Sequence, residues 1–118
     1  MSQQIGFAAE DHARKYLSAS GLIWVESNYL CRLGEIYLIM RDKEYLVFIE
    51  VRSRSSNAYG GAVQSITHSK RQKLLRTATL YLQTKKLYEK QPTRFDVLSI
   101  EGTPPQITWI KNAFGADF

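Results

Sequence analysis

The order of apolar periodicities along this chain predicts an α/β (α+β) domain, a mixed five-stranded sheet flanked by helices in the order α-β-β-β-α-β-β. Three observations carry that expectation. Two segments repeat apolar residues at helical spacing, and five shorter ones are β-rich or alternate with period two. The chain has 118 residues, of which 44% are hydrophobic, with no linker, repeat or low-complexity stretch to divide it. That is one domain, spanning residues 1–118, large enough to bury about two thirds of its unfolded surface.

From Phe7 to Ser20, Ala9, Ala13, Tyr16 and Leu17 recur at helical spacing, and Gly21 closes the helix. Leu22 to Tyr29 is rich in β-branched and aromatic residues and reads as a strand, followed by a loop from Leu30 to Leu33. Glu35 to Arg41 alternates, with Ile36, Leu38 and Met40 on one face and Glu35, Tyr37, Ile39 and Arg41 on the other. A hairpin turn in the polar segment Asp42-Lys43-Glu44 leads to a strand from Tyr45 to Arg52. In that strand Tyr45, Val47, Ile49 and Val51 face one way, and Leu46, Phe48, Glu50 and Arg52 the other. Ser53 to Gly61 has loop composition. A long second helix carries Leu74, Leu75, Ala78, Tyr81 and Leu82 as a stripe. Lys70 and Arg71 extend that stripe one turn earlier, whereas Lys73 and Arg76 fall toward the opposite side. Pro92 ends the helical region; Arg94–Glu101 and Gln106–Lys111 are the last strands, joined by a turn over Gly102–Pro105.

The lone Cys31 has no partner for an internal disulfide, which suits a reducing compartment. No run approaches the roughly 18 apolar residues of a membrane span, and the N-terminus lacks the layout of a signal peptide. The expectation is a soluble cytoplasmic protein without membrane partners. The formal charge is +5, from 16 basic and 11 acidic side chains, and it is unevenly placed. Residues 52–90 hold nine basic side chains and one acid, +8, while the rest hold seven and ten, −3. Such a concentration fits a polyanionic partner, and equally a helix merely solvated by its lysines.

Glu50-Val51-Arg52 ends the strongly apolar run Leu46-Val47-Phe48-Ile49, just before the loop. Period-two geometry puts Glu50 and Arg52 on one face. If the hairpin turns on Lys43 and Glu44, facing residues sum to 87, setting Tyr37 opposite Glu50 and Glu35 opposite Arg52. Two readings are open: a site at the sheet edge, or a cross-strand ion pair of Glu35 with Arg52 beside a solvated Glu50.

These residues belong to an ordered set: Glu10, Ala13, Tyr16 and Leu17; Asn28 and Cys31; Gly34-Glu35-Ile36 with Leu38-Ile39; Val47-Phe48-Ile49-Glu50-Val51; Arg54, Gly60 or Gly61, and Lys70; Arg94-Phe95-Asp96-Val97; and Asn112-Ala113-Phe114. In this set the chain resembles the YraN family of small bacterial proteins, which look like archaeal Holliday junction resolvases and restriction-endonuclease-like nucleases. The resemblance implies a restriction-endonuclease-like fold and a site in which a strand Asp joins the Glu of a Glu-x-Lys motif to hold a divalent metal. A Glu on the first helix often completes such a site. Mg²⁺ prefers oxygen ligands in octahedral array and lowers the pKa of bound water, so the chemistry needs carboxylates there.

The chain departs from that pattern at two places. Tyr37 stands where the family has Asp, and Arg52 where it has Lys. A phenol is a poor Mg²⁺ ligand, and Arg can bind phosphate bidentately but cannot act as a base. The resemblance therefore implies an impaired catalytic site built on Glu50 and Arg52 with Tyr37. Glu10, Glu35 and Glu50 are the carboxylates left for Mg or Mn, which is not expected to bind tightly. Nucleic acid, DNA ahead of RNA, would meet Arg52, Arg54, Lys70, Arg71, Lys73 and Arg76. The alternatives are an active Mg- or Mn-dependent endonuclease on branched or flapped DNA, and a basic interaction or scaffold protein. A homodimer is compatible with the resemblance.

The remaining candidates read as structural. His12 and His68 lack partners at ligand spacing, Cys31 is a small semi-buried residue, and Gly60-Gly61 lacks the Lys that ends a phosphate loop. Tyr59 is a loop aromatic that either packs locally or stacks on a base. Arg94 and Asp96 share a strand face and form an ion pair beside the core position Phe95.

Overall fold

The computed structural model describes residues 2–54, 66–102 and 104–115, with side chains over 11–53, 66–102 and 104–115. Helix α1 (Ser2–Ala19) leads into strands β1 (Ile23–Cys31), β2 (Gly34–Asp42) and β3 (Tyr45–Arg54). Helix α2 (His68–Thr84) and strands β4 (Thr93–Glu101) and β5 (Gln106–Phe114) follow, the expected element order. The sheet runs β1-β2-β3-β4-β5, and only the β3–β4 pair is parallel. A parallel pair needs a crossover, and α2 lies within it. No helix among the described residues is long and apolar enough to cross a membrane.

The two helices cover opposite faces. Ala13 and Leu17 of α1 pack with Leu38, Met40, Val47, Ile49, Val51, Leu98 and Ile100. Leu74, Ala78, Tyr81 and Leu82 of α2 pack with Ile39, Leu46, Phe48, Phe95 and Val97. Alternation along β3 therefore assigns Val47, Ile49 and Val51 to the α1 side and Leu46 and Phe48 to the α2 side, as its sequence implies. Under α2 the aromatic rings form a continuous row: Tyr29 meets Tyr81 edge-on at 5.0 Å, Tyr81 meets Phe48 at 5.8 Å, and Phe48, Phe95 and Phe114 stack at 5.3 and 5.0 Å.

The β2–β3 hairpin turns on Lys43 and Glu44, and its pairs sum to 87, from Asp42↔Tyr45 to Leu38↔Ile49. Lys43 takes φ 56, the left-handed region that a glycine would enter more cheaply. The expected alternation in β2 needs correction. Ile36 joins the α2-side cluster, not the side of Leu38 and Met40. The β1–β2 register is continuous through this point, Tyr29↔Ile36 and Ser27↔Leu38, and Asn28, between them, has φ 53. Strand β1 also runs on to Cys31, so the expected loop over residues 30–33 shortens to Arg32-Leu33.

Strand β5 continues to Phe114, three residues past the expected end, across a bulge. Its pairing with β4 shifts between Phe95↔Phe114 and Val97↔Ile110, and Asp96 fills the gap. The fully buried Asp96 carboxylate accepts from the Asn112 backbone N–H at 3.0 Å and the Trp109 indole at 2.9 Å. It also accepts from Arg94 at 2.9 and 3.0 Å, and Arg94 bonds Asp42 of β2 at 2.9 Å. The expected Arg94–Asp96 pair is thus part of a hub tying β2, β4 and β5 together. Its hydrogen bonds to Asp96, foremost, hold the Arg94 guanidinium above its ordinary pKa. Replacing Asp96 with Ala removes the acceptor of four hydrogen bonds from Arg94, Trp109 and the Asn112 backbone, and urea denaturation should show a loss of about 3–5 kcal/mol.

Candidate functional site

Beyond Leu38↔Ile49 no further β2–β3 pair forms, and the side chains of Tyr37 and Glu50 border a cavity there instead of a paired ladder. Gly34, Glu35 and Tyr37 of β2, Glu50 of β3, and Lys70, Lys73, Leu74 and Thr77 of α2 line this cavity of about 220 Å³. Two local features bring α2 against it. Thr67 caps the helix, its hydroxyl accepting from the Lys70 N–H at 3.1 Å, which fixes the first turn over the end of β3. Gly34 lets the third turn come close: a Cβ there would lie 2.8 Å from the Thr77 hydroxyl, which itself donates to the Lys73 carbonyl at 2.8 Å.

Glu50 occupies the floor with only 5% of its side chain exposed. Lys70 Nζ lies 3.6 Å and Arg52 Nε 3.8 Å from the same oxygen, Oε2. These separations are those of loose ion pairs, longer than direct hydrogen bonds. Burial pushes the Glu50 carboxyl above its ordinary value, against the opposing pull of Lys70 and Arg52, with Glu35 adding to the rise. Burial also raises the Tyr37 phenol, reinforced by Glu35 and Glu50. Parallel pairing sets Arg52 beside Ser99, whose buried hydroxyl lacks a hydrogen-bond partner among the described residues.

The structure thus gathers Glu35, Tyr37, Glu50, Lys70 and Lys73 at one cavity, while Arg52 pairs with Glu50 without lining it. Lys73 belongs with Lys70 at the rim, where helical spacing alone set it toward the opposite side. Arg71 leaves this group: its Nε donates to the Ile66 carbonyl at 3.1 Å and its guanidinium lies 5.8 Å above the Phe114 ring. Arg76 borders a separate concavity of about 300 Å³ with Arg32, Leu33 and Leu80. The side chains of Glu10 and Arg54, and Tyr59, Gly60 and Gly61, lie outside the described residues. Among the described residues no group of three or more His, Cys, Asp or Glu side chains comes together as a metal site. His12 and His68 are exposed and Cys31 is half-buried. Sequence reasoning named Gly34 only as part of the family pattern, without its contact to α2, and did not single out Thr77.

Residues 9–100 match the model of the uncharacterised protein family UPF0102, the YraN family. The chain is 52% identical over 116 residues to a UPF0102 protein of Legionella pneumophila (strain Corby), covering 98% of each. It is 43% identical over 119 residues to one from Pseudomonas aeruginosa (strain LESB58), covering 98% of this chain and 95% of that one. A UPF0102 protein of Stutzerimonas stutzeri (strain A1501) is 45% identical over 115 residues, 96% of each chain.

Because the folded-state pKa of Glu50 is raised, the native protein binds its proton more tightly than the unfolded chain. Its contribution to stability is greatest at pH below the ordinary carboxylate value of 4.5 and falls as pH rises through the folded pKa. Glu50→Gln, a mimic of the protonated acid, should therefore gain stability relative to the natural protein between pH 4 and pH 7. Thermal melts of both proteins across that range measure the difference.

Proposed function

We propose that this chain, which belongs to the uncharacterised protein family UPF0102, is a nucleic-acid-binding protein that holds phosphate at the mouth of the Glu50 cavity. The observation that carries this reading is the cation arrangement on α2. Lys70 and Lys73 share the cavity rim and exposed Arg76 follows at the same three-residue spacing, so charge extends along the helix for about 9 Å at 1.5 Å per residue. Arg71 is tied to the Ile66 carbonyl and Arg52 is the less exposed of the two cations beside Glu50, so the working contacts fall to Lys70, Lys73 and Arg76.

The donor set supports binding over cutting. A hard divalent ion wants several oxygen ligands in near-octahedral order, usually including one or two carboxylates without cations on them. The described cavity offers Glu35 and Glu50, and Glu50 already faces two cations through one oxygen. Tyr37 contributes a phenol that burial keeps protonated. Such a set does not fit Mg²⁺ or Mn²⁺ well, and no reaction step is assigned to a metal here.

Binding is tested by fluorescence anisotropy of branched DNA, duplex DNA and RNA over a salt series. The variant Lys73→Ala/Arg76→Ala should bind more weakly and lower the slope of log K against log salt by about 2. An unchanged slope would remove these residues from the phosphate contacts. The second reading, an active endonuclease, draws on the meeting of Glu35 and Glu50 at one cavity. A cleavage assay on branched DNA with Mg²⁺ and with Mn²⁺ separates the two: cutting that Glu50→Gln abolishes would establish the enzyme, and binding without cutting is the expected outcome.

A further inference from the structure

The charges of the Glu50 cavity are layered, and the layering selects an orientation for what enters. The inner end is a carboxylate more than nine-tenths buried, with Lys70 Nζ and Arg52 Nε at the loose separations of 3.6 and 3.8 Å from its Oε2. Lys70 and Lys73, both exposed, stand at the rim. A phosphate driven to the floor would meet Glu50 in a poorly hydrated setting, where like charges repel strongly. A hydroxyl would suit it, since an ionised carboxylate only accepts hydrogen bonds and a hydroxyl donates one. The cavity, about 220 Å³, is smaller than the roughly 300–1,000 Å³ of drug-sized ligand sites. It has room for a sugar and phosphate and none for stacked base pairs.

We propose that the cavity receives the terminal sugar-phosphate of a nucleic-acid strand, its free 3′-hydroxyl inward on Glu50 and its phosphate outward between Lys70 and Lys73. Internal DNA nucleotides cannot do this, because their 3′ oxygen is esterified and donates nothing. The inference rests on the nucleic-acid reading above and narrows it from backbone binding to recognition of strand ends. A free nucleoside monophosphate presents the same chemistry, so the two sources must be compared directly.

The test uses the full chain and one 5′-labelled DNA sequence in four forms: with a 3′-hydroxyl, with a 3′-phosphate, with a 3′-dideoxy end, and as a closed circle labelled on a base. The 3′-hydroxyl form should bind about tenfold more tightly than the other three, the effect of one charge-assisted hydrogen bond. In Glu50→Gln, checked for folding by circular dichroism, the ratio of 3′-hydroxyl to 3′-phosphate affinity should shrink toward one, since the amide can also donate to phosphate. The comparison of ends in the unmodified protein decides the matter even if the variant fails to fold. Equal binding of all four forms, with a steep salt dependence, would overturn end recognition and leave the nucleic-acid reading standing. Absence of binding by every form at low salt would overturn both. A deoxynucleoside 5′-monophosphate that competes at the affinity of the strand itself would reassign the cavity to free nucleotides and overturn the strand-end proposal.

Discussion

Burial of β3 on both faces constrains every other element. Its odd-numbered residues pack under α1 and its even-numbered ones under α2, while its edges are held by β2 and β4. A one-residue slip would turn each apolar side chain to the wrong helix, so the register is sharply defined. The same register carries Glu50 under the first turn of α2 and Arg52 alongside Ser99. The parallel pairing with β4 obliges the chain to cross the sheet between the two strands, and α2 in that crossover brings Lys70 and Lys73 to the cavity. Site geometry here follows from strand registration more than from any dedicated loop.

Much of this was legible in the sequence because it depends on local periodicity. Alternation in Tyr45–Arg52 placed Glu50 and Arg52 on one face, and the polar break at Lys43 and Glu44 predicted the register that the hairpin adopts. Where the sequence misled, the break in alternation lies beside an Asn in the left-handed region, a state Asn enters more readily than most residues but that no periodicity marks. Asn28, with φ 53, lies between the pairs Ser27↔Leu38 and Tyr29↔Ile36, and Asn112, with φ 52, sits at the bulge around Asp96 across which β5 runs past its expected end. The pair Arg94 and Asp96 could be read from strand spacing, but Trp109, Asn112 and Asp42 join it only through tertiary pairing. The Glu50–Lys70 contact likewise spans two elements, and nothing in either segment alone marks it.

The two buried carboxylates sit in opposite circumstances. Asp96 is saturated by Arg94, Trp109 and a backbone N–H, and works as a structural joint. Glu50 meets two cations at longer range on a single oxygen, and burial disfavours its charge. A side chain kept in so incompletely satisfied a state beside a cavity is what functional sites commonly show, where local stability is given up for chemistry. The contrast within one small sheet supports assigning function to the β3 end and scaffold duty to the β4–β5 bulge.

The close approach of Gly34 to Thr77 also bears on how this cavity can vary. One wall there is bare backbone against a buried hydroxyl, so a side chain introduced at Gly34 would force the Thr77 hydroxyl or its helix to shift. Thr77 is fully buried. Tyr37, by contrast, is only partly buried where it lines the same cavity. The cavity therefore has one wall set by backbone packing against α2 and another set by a half-exposed side chain, and its shape depends on the first more than on the second.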